Sequence, residues 1–385
     1  MTNRLDRRRF VVSSGAAATL VFGGARSVLG QATPAATPAT PGATPAASSE
    51  PIKVAFVYIG PTGDLGWTYA HDQGRLQLVQ NIPSANTSFI ENVPENQADA
   101  ERAIRAFAED GNDVIIATSF GYGPAVLSVA AQYPDIQFIH ISGYQTAENV
   151  STAFGKIEEP RYVSGFIAGM MAPTGKLGYV AAFPIPEVIR GINAFTLGVR
   201  AANPEATVQV VWTNTWYNPS IERAAAEALL DGGAEVIAQH QDTPAPQQAA
   251  EAAGKYGVGY NVDMTSLAPG ANLTNPIWNW GVYYTQAVQQ IQAGTWSSNQ
   301  YWGSWQDGVV GLSPIADVVP AEVQREATAL ANEFRSGARG VTTIFSGPLL
   351  DQEGAERIAE GASMTDEEIL NMDWFVQGVL GDLPS

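Results

Sequence analysis

A scattered set of side chains in this 385-residue sequence could hold a ligand: Asp64, Trp67, Ser119, Phe120, Tyr144, Trp216, Asp242, Asp263 and Trp280. Most stand in short polar stretches that follow apolar runs. Rings offer faces for stacking, while carboxylates and hydroxyls offer hydrogen bonds, so the set suits a flat heteroaromatic ligand bonded along its edge. Plainer roles are open for single members. Trp67 could be a wedge in local packing, Asp242 could cap a helix beginning near Pro244, and Asn218 could do the same before Pro219. Asp64 with Asp242 could also form the carboxylate pair of a glycoside hydrolase, although nothing in the sequence favours that use over binding.

Other catalytic chemistry finds little footing. The three histidines, His71, His140 and His240, are far apart and show no metal-ligand spacing. His140 lies inside an apolar strand, as a core residue would; His240, beside Asp242 at a strand end, could donate to a ligand or serve the structure. There is no cysteine, no Gly-x-Ser-x-Gly elbow and no phosphate-cradling Gly-x-x-x-x-Gly-Lys. The expectation is a binding protein with no cofactor and no metal.

The elements that must position these residues repeat. Val54 to Ile59 is an unbroken apolar run, as in a parallel strand buried on both faces, and it stops at Gly60-Pro61. Asp64 and Trp67 follow in a loop, and Tyr69 to Leu78 can wind as a helix. Lys53 to Tyr58 is echoed at Lys176 to Ala181, 123 residues later, and the Asp110-Gly111 strand start at Asp231-Gly232, so one unit occurs twice. Ala98 to Ala108 and Ser220 to Asp231 are the intervening amphipathic helices. The expected fold is α/β: two doubly wound lobes with parallel sheets facing across a cleft, where small-molecule sites tend to lie. One lobe is expected from 51–155 with 258–300, the other from 156–257 with 301–345. Residues 346–385 would be a C-terminal extension packed on the lobes, and the chain would cross near Lys156, Gly257 and Gly303. Near the C-terminus, 342–348 is expected as a strand pair, and Thr365 to Glu368 as a capping-box start.

Arg7-Arg8-Arg9-Phe10 precedes an apolar, small-residue stretch, so residues 1–30 are expected to be a twin-arginine export signal, cleaved or kept as an anchor. Residues 31–50, rich in Thr, Pro and Ala, are expected to form a disordered tether. Beyond it the body carries 15 basic against 36 acidic residues, which argues against nucleic acid as a partner because phosphate binding needs a basic face.

The stretches GDLGWTYAHDQG, SGFIAGMMAPTGKLGYV, PEVIRGINAFTLGVRAANP, AQHQDTPAPQQAA and TDEEILNMDWFVQGV resemble the basic membrane protein family of ABC-transporter substrate-binding proteins, across nearly all of residues 52–382. The resemblance implies a type I periplasmic-binding-protein fold with three crossings, and an exported monomer that closes on a purine base or nucleoside and delivers it to an ABC permease. Residue by residue, it implies Trp67 and Trp216 as stacking rings, Asp64 on the base edge and Asp263 on ribose hydroxyls. Two features depart from the nucleoside receptors: Trp278-Asn279-Trp280 stands near their lysine, and Thr68 replaces the usual Asn. These departures favour a free base, adenine first. A nucleoside receptor, a ligand sensor of the same fold and, more remotely, a secreted nucleoside hydrolase are the alternatives.

Overall fold

Burial of the run Ile52–Val57 on both faces makes it the middle of a sheet rather than an edge. The computed structural model describes residues 51–384; the expected signal and tether lie outside the described residues. The first lobe runs β1 (Ile52–Val57), α1 (Trp67–Asn81), β2 (Ala85–Ile90), α2 (Gln97–Glu109), β3 (Val114–Ala117), α3 (Gly123–Ala130), β4 (Gln137–Ile141) and β5 (Val150–Gly155). The second repeats the plan after an added helix: α4 (Glu158–Met170), β6 (Lys176–Ala181), α5 (Pro186–Ala202), β7 (Thr207–Trp212), α6 (Pro219–Asp231), β8 (Val236–His240), α7 (Ala245–Ala252), β9 (Tyr256–Val258) and β10 (Asn272–Thr274). Then come β11 (Pro276–Trp278), α8 (Trp280–Gln292), β12 (Gln300–Gly303), β13 (Val310–Leu312), α9 (Ala321–Arg335), α10 (Val341–Ile344), β14 (Leu349–Leu350), β15 (Glu356–Ile358), α11 (Asp366–Leu370) and β16 (Val379–Leu380).

The two sheets are parallel and six-stranded, in the orders β12-β5-β4-β3-β1-β2 and β10-β9-β8-β6-β7-β16. Matching strand for strand, β1 corresponds to β6 and β3 to β8, which is the duplication that the two echoed segments announce. An apolar core cluster continuous through both sheets is completed by helices packed on them, with α8 against α1 and α9 against α4.

Three features differ from the sequence expectation. Because β9 and β10 stay in the second sheet, the second crossing falls at 276–279 and not near Gly257; the other two are at 155–157 and 304–309. β11 and β13 pair antiparallel at this hinge, and Gly155 packs against them so closely that a Cβ there would meet Val310 Cγ1 at 2.5 Å. The last stretch is not an appended extension, since β16 adds to β7 and closes that edge of the second sheet. Finally, 341–344 is helical, with the strand pair beginning at Leu349. The capping box at Thr365 forms, with Glu368 N donating to Thr365 Oγ1 at 3.2 Å and Thr365 N donating to Glu368 Oε2 at 2.7 Å.

Candidate ligand-binding site

Parallel strands aim the loops at their carboxyl ends into the crevice between the lobes. There the structure has a narrow cavity, about 320 Å³ of empty space when the open solvent at its mouth is included, lined by Ile59, Trp67, Ser119, Phe120, Ser142, Glu187, Trp216, His240, Asp242 and Tyr260. The first five come from the first lobe and the rest from the second, so the two lobes together make the site.

Its two tryptophans are held by their indole N–H groups. Trp67 starts α1, donates to Thr118 O at 2.7 Å and is braced edge-to-face by Trp278 and Trp280, with ring centroids 5.7 Å away in each case. Trp216 follows β7 and donates across the cleft to Glu95 Oε2 at 3.1 Å, with Phe183 5.0 Å from it. Glu95 in turn accepts from Ser119 Oγ at 2.5 Å and Gly121 N at 2.8 Å, which fixes the β3 loop beside the rings. Gly66 brings the lobes closer still: a Cβ on it would lie 2.1 Å from the backbone oxygen of Asp242.

The polar lining is acidic or neutral. Asp242 is buried, and its carboxyl stands well above the usual carboxylate range because of that burial and the nearby Asp64, Glu222 and Glu187. Glu187 is likewise raised by burial and sits 3.5 Å from His240 Nε2. Burial keeps His240 neutral, helped by the charges of Arg161 and Arg190; its Nδ1 and the Tyr260 hydroxyl find no protein partner among the described residues.

Of the residues expected from sequence, Trp67, Ser119, Phe120, Trp216 and Asp242 meet in this lining. The others lie elsewhere. Asp64 accepts three backbone N–H bonds, from Gly66, Thr68 and Tyr69 at 2.8 to 2.9 Å, and so organises the start of α1 from behind the cavity. Asp263 is exposed and turned to Thr265 and Asn275. Tyr144 is 62% exposed beside Phe120, and Trp280 is wholly buried, stacked on Trp278 and His71. Sequence reasoning missed Glu95 because β2, polar and largely exposed, gives no apolar run to mark the loop after it. It missed Tyr260 because β9 is only three residues long.

The family model described as Bmp, ABC transporter substrate-binding protein, PnrA-like, matches residues 52–337. The chain belongs to this family. Bmp-family members are substrate-binding proteins of ABC transporters, so this one works outside the cytoplasm with a small-molecule ligand and a permease partner. It is 40% identical to a purine-binding protein of Brucella abortus, over 88% of this chain and 95% of that one. It is 38% identical to the putative ABC transporter glucose-binding protein of Haloferax volcanii, over 88% of this chain and 83% of that one. A solved ABC transporter solute-binding protein of Conexibacter woesei aligns with a TM-score of 0.61 at 25% identity, covering 77% of this chain and 100% of that one. Another, from Aeropyrum pernix, gives 0.65 at 18% identity over 75% and 92%. The fold is that of type I periplasmic binding proteins.

Proposed function

We propose that this Bmp-family protein binds a purine base, adenine foremost, between Trp67 and Trp216, and delivers it to its permease after export by the twin-arginine route. The observation that carries the reading is the pair of tryptophans, one from each lobe, anchored by their N–H groups at a shared cavity. Rings fixed in this way leave their faces for stacking, which suits a flat heterocycle. The purine-binding relative from Brucella abortus points to the same class.

Two further features favour a base over a nucleoside. Asp263, the carboxylate expected on ribose, is engaged with its own turn, and Trp278 and Trp280, near the position of the nucleoside receptors' lysine, are packed as core. No Lys or Arg is in the lining, so a phosphorylated ligand would find no counter-charge. The name of the Haloferax volcanii relative supports a second reading, a hexose stacked on the same rings.

Calorimetric titration of the ligand-free protein with adenine, guanine, adenosine and glucose separates these readings, with chromatography of each ligand afterwards. One-to-one binding of unchanged adenine is expected. Binding of adenosine or glucose in its place would overturn the base assignment, and altered ligand would indicate a hydrolase.

A further inference from the structure

The chemistry of one lining group goes beyond stacking. Trp278 Nε1 donates to Asn261 Oδ1 at 3.0 Å. An indole nitrogen can only donate, so this contact fixes which way the Asn261 amide points. Its Nδ2 therefore faces the second lobe's loop, donating to Asp242 Oδ1 at 3.2 Å. Asp242 Oδ1 must then be an acceptor. Among the described residues no donor reaches Oδ2, the other oxygen of this 5% exposed side chain, which belongs to the cavity wall.

The charged groups around Asp242 offer that oxygen no cation. Asp64 faces it from the loop before α1, Glu222 from α6 and Glu187 from α5. His240, two residues earlier on β8, is neutral, while Arg161 on α4 and Arg190 on α5 act on Glu187 and His240. Arg190 is itself paired with Glu158 at 2.6 Å. A buried carboxyl among other carboxyls with no counter-charge is most stable neutral, with its proton on the oxygen that Asn261 leaves free.

Resting on the purine reading above, we propose that Asp242 meets the ligand as a neutral acid, donating from Oδ2 to an unprotonated ring nitrogen while Oδ1 stays an acceptor. This order of donor and acceptor selects a 6-aminopurine. On both its N1 and N7 sides, adenine sets an amine donor beside an acceptor nitrogen. Guanine and hypoxanthine put an oxygen where the amine would be on those two edges, facing Oδ1, and match the acid only by turning their N3 side to it, so the selection holds for a purine presented by its N1 or N7 side. Loss of the proton would turn the group into an acceptor only and remove the match.

The test is titration of the wild-type protein, Asp242→Asn and Asp242→Ala with adenine and guanine from about pH 5.5 to about pH 9, with circular dichroism as a check on folding. An amide has the same donor and acceptor as a neutral carboxyl but does not titrate. Wild-type affinity for adenine should therefore never strengthen as pH rises, and should weaken wherever the acid loses its proton. Asp242→Asn should bind adenine within a few-fold of the acidic wild type at every pH, Asp242→Ala should lose at least tenfold, and guanine should bind weakly throughout. Wild-type binding that strengthens with pH, or loss of adenine by Asp242→Asn at a pH where the wild type binds it, would overturn the neutral acid while leaving the purine reading intact. Absence of binding by any purine at any pH would overturn both.

Discussion

Trp67 and Trp216 share one cavity but differ in what else they hold up. Trp67 is 7% exposed and packed among Trp278, Trp280, His71 and Phe154, whereas Trp216 is half-buried and touches mainly Phe183 and Glu95. Trp67→Ala should thus remove both packing and stacking. It is expected to destabilise the fold by about 3 to 5 kcal/mol, the range for large aromatic deletions in a core. Trp216→Ala should cost at most about 1 kcal/mol of stability but about 10- to 100-fold in affinity, in line with the stacking energy of a base on an aromatic ring. Denaturant unfolding and calorimetric titration of the two variants check both halves. Equal losses of stability would contradict the division, and undiminished affinity in Trp216→Ala would remove that ring from the site.

The loops at strand ends, more than the strands, decide what the cleft can do, and they were unequally legible. β1, β3, β6 and β8 are short apolar runs ended by turn residues, so the doubled α/β plan and the placing of Trp67, Trp216 and Asp242 at strand ends could be read directly. β9, β10 and β16 are two or three residues each, too short to show a period, which moved the second crossing and hid the C-terminal strand. Asp64 looked like a ligand group because side-chain type says nothing about which backbone N–H groups will claim it. Gly66 is a further case: nothing in GDLGW reveals that the second lobe's backbone lies against it. Gly66→Ala should leave each lobe folded but hold the cleft ajar, because the added methyl would run into Asp242 O. The expected result is an unchanged melting temperature without ligand, at least tenfold weaker ligand binding, and a larger radius of gyration by X-ray scattering when ligand is added. Normal affinity in this variant would show that the lobes need not approach so closely.

At the scale of the whole molecule, the protein buries several acids that are easier to protonate folded than unfolded. Asp64 is pushed up from 3.8 to about 6 and Glu159 from 4.5 to about 7, in each case by burial. An acid whose folded pKa is raised favours the folded state at low pH and loses that contribution as pH rises through the folded value. His140 works in the opposite sense: burial lowers it to about 4, so its contribution is lost as pH falls below its ordinary 6.5. His71 and His240 are lowered by burial in the same way, so over the interval from about pH 5 to pH 7, where Asp64 and Glu159 give up their contribution, the histidines oppose the acids. Measured against a Glu159→Gln variant, which has no acid to titrate at that position, the wild type should lose about 1 to 2 kcal/mol across the interval, a few degrees in Tm. The excess of acidic residues would push the same way through repulsion between surface charges, but salt screens exposed charges far more than buried ones. Scanning calorimetry of the ligand-free wild type and of Glu159→Gln at both pH values, with and without about 0.5 M NaCl, therefore separates the two causes. A drop that persists in salt belongs to the buried acids. One that vanishes would assign the effect to net charge and leave Asp64 and Glu159 without a part in it.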